Sequence, residues 1–220
     1  MLEPQTLQFL RGLQKNNNKP WFDAHRPQYE AARIDFQNFI QLVIDDFGKK
    51  ELSIAGQTAR SCLFRINRDV RFSKDKSPYK TNFGASIKPG GRKSGLAGYY
   101  FHLEPGASFI GGGLWMPEPA NIKKVRQEID YNWDEFQSII SAKGFQNIFQ
   151  HNYNTAGWIA NNRFAITNFD NALEKGSFLR PLVDISKKFE QLKAIRLGFK
   201  YALERNEVKS KRTDSLSALS

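Results

Sequence analysis

The residues best suited to chemistry lie between positions 65 and 80, which we call the basic segment. It contains three arginines, three lysines and two aspartates: Arg65, Arg68, Asp69, Arg71, Lys74, Asp75, Lys76 and Lys80. A guanidinium can hold two oxygens of a phosphate or carboxylate, and an ammonium adds a mobile point charge. Two carboxylates cannot neutralise six cations. The segment therefore predicts a site for an anionic, phosphate-bearing small molecule or nucleotide.

Each residue of the basic segment receives a role under this hypothesis. The anion would be held mainly by Arg65, Arg68, Arg71 and Lys76, with Asp69 orienting the arginines. The remaining ligand-binding candidates are Lys74, Asp75, Tyr79 and Lys80. Hydrolase or transferase chemistry on a bound phosphate is compatible with such a site. The residue types alone do not decide whether the protein is an enzyme.

Two other interpretations of the basic segment stay open. In the first, Asp69 and Asp75 bridge the arginines in a purely structural ion-pair network. In the second, the segment is a surface that follows the phosphates of a nucleic acid and extends to Lys88, Arg92 and Lys93. A concave site favours the small molecule, whereas a flat or ridged basic stripe favours nucleic acid.

Proton transfer would need a further group, and His25 is the first candidate. The helical pattern places His25 on an inner face one turn before Tyr29, and an imidazole suits general acid–base work. We predict His25 and Asp69 as catalytic residues, while a buried structural histidine is the alternative for His25. His102 has less support. No metal-ligand spacing occurs, and we predict neither a metal nor a cofactor.

The charge of the chain is concentrated around the basic segment. The net charge is +11, and residues 60–93 carry ten Lys or Arg residues and two Asp. Residues 1–59 carry seven basic and seven acidic residues, the mixture that is usual for a solvated surface. A local excess of this kind raises the concentration of anions nearby, which makes an acidic ligand plausible.

The elements before the basic segment are predicted to be helical. Apolar residues at helical spacing predict one helix over residues 6–15 and a second over residues 20–47. Pro27 falls about two turns inside the second helix. Because proline lacks an amide hydrogen and clashes with the preceding turn, a kink or break is expected at Arg26.

The middle of the chain is predicted to form strands. The candidates are residues 59–66, 82–88, 99–104 and 108–114, with a turn at residues 104–107. If the first strand continued to residue 72, alternation would place apolar side chains on one face, namely Phe64, Ile66, Val70 and Phe72. Arg68 would then lie among them and would need a bulge or a polar pocket.

These elements together predict an α+β fold. Its centre is an antiparallel meander at about residues 59–114, because the connections are too short for crossover helices, and helices from both ends of the chain flank it. Later helices are predicted at residues 120–130, 133–142 and 182–203, whereas residues 145–180 have no clear pattern. Residues 1–204 should form a single domain, and the polar residues 205–220 a disordered tail.

Cysteine content and hydropathy indicate the compartment. A single cysteine, Cys62, excludes an intramolecular disulfide, and its apolar neighbours indicate a buried side chain. The first residues lack the basic and apolar regions of a secretory signal, and no apolar run approaches the roughly 18 residues of a membrane span. We therefore expect a cytoplasmic protein without a membrane association.

The basic segment also resembles the signature of a known protein family. The run Arg-x-x-Arg-Asp-x-Arg-Phe, followed by Asp75, Lys76 and Tyr79, resembles the signature of the DUF2461 family of bacterial proteins. Similarity continues to Asn16-Asn17, Trp21-Phe22, His25 and Tyr29 before it, and to Gly111-Gly112-Gly113-Leu-Trp-Met-Pro after it. The resemblance covers about residues 7–143. The family has no established activity. The resemblance therefore implies that the protein is a member of DUF2461 but does not indicate a reaction mechanism.

Overall fold

The computed structural model describes residues 2–114, 118–143 and 164–168, together with Glu190 and Lys193. The helices within these residues are α1 (Pro4–Lys15), α2 (Lys19–Ala24), α3 (Arg26–Phe47), α4 (Ala59–Cys62), α5 (Pro119–Tyr131) and α6 (Trp133–Ser141). The strands are β1 (Phe83–Ile87), β2 (Gly98–Leu103), β3 (Phe109–Gly113) and β4 (Phe164–Asn168).

The predicted break in the second helix is confirmed. It falls at His25, which ends α2 and precedes α3, and Pro27 lies in the first turn of α3. A proline is tolerated there because the first amides of a helix have no partner within it. The side chain of Asn18 caps α2 by accepting a hydrogen bond from the Trp21 amide at 3.0 Å.

The strands form an antiparallel sheet. Within the described residues its order is β1-β2-β3-β4, and every neighbouring pair is antiparallel. Glu104 and Ala107 close the predicted turn between β2 and β3 through a 3.0 Å backbone hydrogen bond, with Gly106 at φ 79°. The α+β fold and its meander are confirmed. Strand β4 lies in residues 145–180, for which no element was predicted.

One face of the sheet packs against α3 to form the core. Phe101 of β2 lies 6.0 Å from Phe36 and 5.3 Å from Phe39, and Tyr99 meets Phe47 edge to face at 5.0 Å. Helix α1 also packs against α3. Because side chains alternate along a strand, Tyr100 and His102 project from the opposite face of the sheet.

The strand predicted at residues 59–66 is wrong. Residues 59–62 form α4, and within the part of the chain that the structure describes an isolated bridge between Leu63 and Ala85 joins this region to the sheet. The side chain of Gln41 accepts a hydrogen bond from the Ala59 amide at 2.9 Å. This long-range contact fixes the first turn of α4, and local residue preferences do not reveal it.

Several predictions reach beyond the described residues. The helix predicted at residues 182–203 lies outside them apart from Glu190 and Lys193, and so does the tail at residues 205–220. The extent of the single domain stays a prediction. Cys62 is buried as predicted, and burial raises the pKa of its thiol. In the described part of the chain, no helix is long and apolar enough to cross a bilayer.

Candidate functional site

The basic segment folds back on itself as a hairpin-like loop. At its base, the Arg68 amide donates to the Pro78 carbonyl at 2.9 Å and the Lys80 amide donates to the Ile66 carbonyl at 2.8 Å. Residues 69–77 form the tip. The pairing brings the first and last cations of the segment, Arg65 and Lys80, to the same end of the loop.

Asn17 anchors this loop to the helical layer. Its side-chain amide donates to the Tyr79 carbonyl at 2.9 Å, and its side-chain oxygen accepts from the Tyr79 amide at 3.1 Å. The ring of Tyr79 is buried and stacks on Phe22 with centroids 4.0 Å apart. Tyr79, predicted as a ligand-binding residue, therefore uses both its backbone and its ring to hold the base of the loop.

Two arginines of the segment have carboxylate partners within it. Arg71 donates to Asp69 through Nε at 2.9 Å and Nη2 at 2.6 Å, and Arg68 pairs with Asp75. The hydrogen bonds from Arg71, and to a smaller degree the charge of Arg65, lower the pKa of Asp69. Asp69 was expected to orient all the arginines, but the only ion pair it forms among the described residues is with Arg71.

The other cations of the segment are differently placed. Lys76 donates to the carbonyl of Val70 at 3.0 Å. Among the described residues, no carboxylate lies within ion-pair distance of Arg65, Lys74 or Lys80. The Lys80 ammonium lies 5.5 Å from the ring centroid of Phe64. Burial, and then the charge of Arg65, lower the pKa of Lys80. Arg65 and Lys80 are therefore two neighbouring cations that repel each other.

The predicted apolar face of the basic segment does not exist. The segment is a loop and not a strand, and Phe72 at its tip is 96% exposed. The guanidinium of Arg71 lies 5.8 Å from the centroid of the Phe72 ring. Ile66 alone of the four predicted residues is buried, because it lies at the base of the loop, next to the sheet.

A second polar arrangement lies on the sheet face opposite the core. His102 accepts a hydrogen bond at Nδ1 from the Tyr100 hydroxyl, 3.0 Å away, and its Nε2 lies 3.0 Å from a carboxylate oxygen of Glu104. The residues that follow Lys80 join this group: Thr81 donates to Glu104 at 2.5 Å, and Asn82 lies 3.3 Å from Nδ1 of His102. The arrangement is thus connected to the base of the basic segment.

In the sequence, His102 had less support than His25, and Tyr100 and Glu104 were not predicted as site residues. A signal for this second arrangement was present, because Tyr100, His102 and Glu104 are spaced two residues apart at the end of a predicted strand and so share one face. The neighbours that complete the network, Thr81 and Asn82, come from a different part of the chain and could not be found by spacing. In the described residues, no three His, Cys, Asp or Glu side chains form a group that could hold a metal ion.

A model of the family of conserved hypothetical proteins named DUF2461 matches residues 5–212 of the chain. The chain belongs to the DUF2461 family. The match continues well past residue 143, where the resemblance recognised in the sequence ended, so the C-terminal third is part of the family sequence too. Neither the comparison with curated proteins nor the comparison with solved structures finds a match.

Residues that carried the resemblance to DUF2461 meet at the base of the loop. Asn17 and Phe22 hold Tyr79, and Trp21 stacks on His25 with centroids 4.0 Å apart. The conformation of Trp115, Met116 and Pro117, which also carried it, lies outside the described residues.

Among the described residues of this DUF2461 protein, no hydrogen bond joins His25 to the arginines of the basic segment. Its Nδ1 lies 2.8 Å from the Trp21 carbonyl, one turn earlier in the chain, and its ring packs on the Trp21 indole. Within the described residues, its polar and ring contacts are with its own helical region. Its role in proton transfer stays a prediction, and the geometry is that of a partly buried structural histidine.

Proposed function

We propose that the protein binds a phosphate-bearing small molecule or nucleotide at the base of the basic segment, through Arg65 and Lys80. The observation that supports it is the pair of neighbouring cations without an ion-paired carboxylate among the described residues. Asp69, whose pKa the charge of Arg65 helps to lower, is already paired with Arg71. An anion between the two cations would remove their repulsion and supply the missing counter-charge.

The neighbouring ion pairs support two different roles for the cations of the basic segment, one structural and one in binding the anion. Arg68 and Arg71 are matched by Asp75 and Asp69 and hold the tip in shape. The structural-network interpretation therefore accounts for two of the six cations. It does not account for Arg65 and Lys80, which the fold holds together at a cost in electrostatic free energy. A cytoplasmic location, as expected from the sequence, would expose the site to nucleotides and phosphorylated metabolites.

Thermal unfolding of the full chain with inorganic phosphate or ATP tests this proposal. A ligand that binds the native state at ten times its Kd stabilises it by about 1.4 kcal/mol, which raises the Tm by roughly 3–6 °C. We expect this rise in the unmodified protein and in Arg126→Met, an exposed arginine of α5. We expect it to be absent in Lys80→Met. An equal rise in Lys80→Met, or none in any protein, would contradict the proposal.

A second candidate function, binding of single-stranded nucleic acid, is favoured by Phe72. Its ring is almost fully exposed at the tip of the loop, beside the exposed side chains of Arg71, Lys74 and Lys76. An exposed aromatic ring among cations can stack on a base while the cations contact phosphates. The predicted extension of this surface is interrupted, however, because Lys88 is buried and only Arg92 and Lys93 are exposed.

A further inference from the structure

Tyr100, His102 and Glu104, which we call the relay, form a continuous line of hydrogen bonds. The side chains of His102 and Glu104 are only 13% and 23% exposed. His102 is held from both ends, by Tyr100 at Nδ1 and by Glu104 at Nε2, and its ring stacks on Phe109 with centroids 4.6 Å apart. The imidazole therefore has one defined position and orientation.

The donors around the imidazole determine which nitrogen carries the proton. The Tyr100 hydroxyl and the Asn82 side-chain amide both point at Nδ1, so Nδ1 presents its lone pair and Nε2–H donates to Glu104. Burial alone would raise the pKa of Glu104, but hydrogen bonds from Thr81 and His102 outweigh it and the pKa is lowered. Glu104 is thus an ionised acceptor at neutral pH.

We propose that the relay acts as a general base that removes a proton from a water molecule or hydroxyl group beside the bound phosphate. The water or hydroxyl O–H gives its proton to the Tyr100 oxygen while the original Tyr100 proton moves to Nδ1 of His102. Tyr100 is a neutral phenol before and after the step. The new charge is an imidazolium, which the Glu104 carboxylate stabilises, and the deprotonated oxygen is free to attack an electrophile.

The surroundings of Tyr100 suit a proton shuttle rather than a nucleophile. Burial, and then the charge of Glu104, raise the pKa of Tyr100 to about 12, so the phenol stays neutral at physiological pH. The charged or titratable neighbours hydrogen-bonded to His102 in the described residues are Tyr100 and Glu104. The neighbours from the other elements, Asn82 and Phe109, carry no charge.

The position of the relay connects it to the proposed phosphate site, on which this inference rests. The ring of Phe64 lies 6.2 Å from the ring of Tyr100 and 5.5 Å from the ammonium of Lys80. A ligand whose phosphate is bound by Arg65 and Lys80 could lie across Phe64 and reach the Tyr100 hydroxyl. The chemistry that fits is hydrolysis, or group transfer to an alcohol, with the relay activating the attacking oxygen.

Turnover of p-nitrophenyl phosphate and of ATP by the full chain tests the relay. General-base catalysis contributes about 100-fold or more. We expect Tyr100→Phe and His102→Gln to lose at least that much of the rate but to keep the phosphate-induced rise in Tm. Tyr131→Phe, which removes the hydroxyl of an exposed tyrosine in α5, should keep both.

The pH dependence of the rate separates a base from a structural group. The rate should fall at low pH, because a general base accepts a proton only in its unprotonated form. Glu104→Gln should lower the rate, because the imidazolium formed in the step loses its stabilising carboxylate. Gly84→Ala offers a second test, since a Cβ there would come within 2.7 Å of the Tyr100 oxygen and displace it. It should lower the rate while Tyr100, His102 and Glu104 are all retained.

Three outcomes would each contradict one of the two proposals. If phosphate raises the Tm but the unmodified protein turns over neither substrate faster than buffer, the relay is not catalytic and the binding function stands alone. An unchanged rate in Glu104→Gln would equally contradict the relay. Turnover that depends on the relay without any rise in Tm on adding phosphate would support the relay and contradict the phosphate site.

Discussion

Lys80 connects the base of the loop to the proposed chemistry. Its backbone amide closes the hairpin at Ile66, while its ammonium lies over Phe64 and beside Arg65. A partly buried cation next to another cation is destabilising unless an anion lies between them. The electrostatics of this one side chain are therefore the most sensitive indicator of whether the site binds an anion.

The pKa of Lys80 should rise when the charge of Arg65 is removed or neutralised. Arg65→Met takes away the neighbouring cation that lowers it, and bound phosphate adds an anion, so both changes favour the charged ammonium. The measurement is an NMR titration of the lysine side chains of the full chain. Arg126→Met should leave the Lys80 pKa where it is. A Lys80 pKa that neither Arg65→Met nor phosphate moves would contradict the proposed pairing.

Tyr100 should make the stability of the protein fall at high pH. Its pKa is about 12 in the folded state and about 10 in an unfolded chain, so between these values the unfolded state loses the proton first. The contribution of the neutral Tyr100 to the free energy of unfolding is complete below pH 10. It is lost as the pH rises to 12, which lowers the free energy of unfolding by on the order of 2 kcal/mol. Urea denaturation at several pH values should show this decline reduced in Tyr100→Phe and unchanged in Tyr131→Phe. An equal decline of the free energy of unfolding with pH in both variants would contradict the burial of Tyr100.

At the scale of elements, the hairpin is held by one side chain from the connection between two helices. The amide group of Asn17 pairs with both backbone groups of Tyr79, much as a neighbouring strand would. Tyr79 in turn packs on Phe22 of α2. The position of Arg65 and Lys80 therefore depends on the turn between α1 and α2.

Asn17→Ala should destabilise the fold and weaken phosphate binding together. Losing two partly buried hydrogen bonds costs about 1–3 kcal/mol and frees the base of the loop. Asn16→Ala is the matched control, because Asn16 is exposed and its side chain, among the described residues, bonds only to the Gly12 carbonyl of α1. Urea denaturation and the phosphate-induced rise in Tm measure the two effects. Equal losses in both variants would contradict the anchoring role of Asn17.

The ion pairs of the loop tip should contribute little to stability. The side chains of Arg71 and Asp69 are 76% and 45% exposed, and Asp75 is 59% exposed. We expect Arg71→Met to change the free energy of unfolding by less than about 0.5 kcal/mol and Arg68→Met by about 1 kcal/mol or less, since each carboxylate left behind faces water. Chemical denaturation measures both. A loss of several kcal/mol in Arg68→Met would instead favour the structural-network interpretation.

The elements most predictable from sequence were those with a long, repeated pattern. The break before α3, the strands β1 to β3 and the turn at Gly106 followed from prolines, alternation and glycine chemistry. The segment at residues 59–72 did not, because its alternating apolar residues resemble a strand, whereas among the described residues only the bridge at Leu63 and the closure at residues 66–68 give it strand-like pairing. Its shape depends on the contact of Gln41 with Ala59 and on that of Asn17 with Tyr79 at the base of the loop.

The candidate site was only partly predictable for a similar reason. The cations of the basic segment could be identified from the residue types. Which of them pair with a carboxylate depends on how the loop folds back. His25 was chosen for its place on a helix, whereas the network around His102 is completed by Asn82, which contacts His102, and by Thr81, which donates to Glu104, about twenty positions away. The spacing of residues in the sequence identifies those that share one face of a helix or strand. It does not show which residues from another part of the chain contact that face.

At the scale of the whole molecule, the net charge of +11 is expected to give weak binding to nucleic acid. Because the excess charge is concentrated in residues 60–93, any such binding should be electrostatic and non-specific. Titration with duplex and single-stranded DNA should show at most weak binding, falling steeply with salt. Phe72→Ala should weaken any preference for single strands. Sub-micromolar binding at physiological salt with a shallow salt dependence would contradict the small-molecule proposal and favour a nucleic-acid module.

The most direct test of the central claim is a crystal structure of the full chain grown in the presence of phosphate. We expect an ordered phosphate at the base of the loop, with its oxygens within hydrogen-bond distance of the Arg65 guanidinium and the Lys80 ammonium. Arg68 and Arg71 should keep their partners Asp75 and Asp69. A phosphate bound only at the exposed tip, or none near Arg65 and Lys80 at a concentration that raises the Tm, would contradict it.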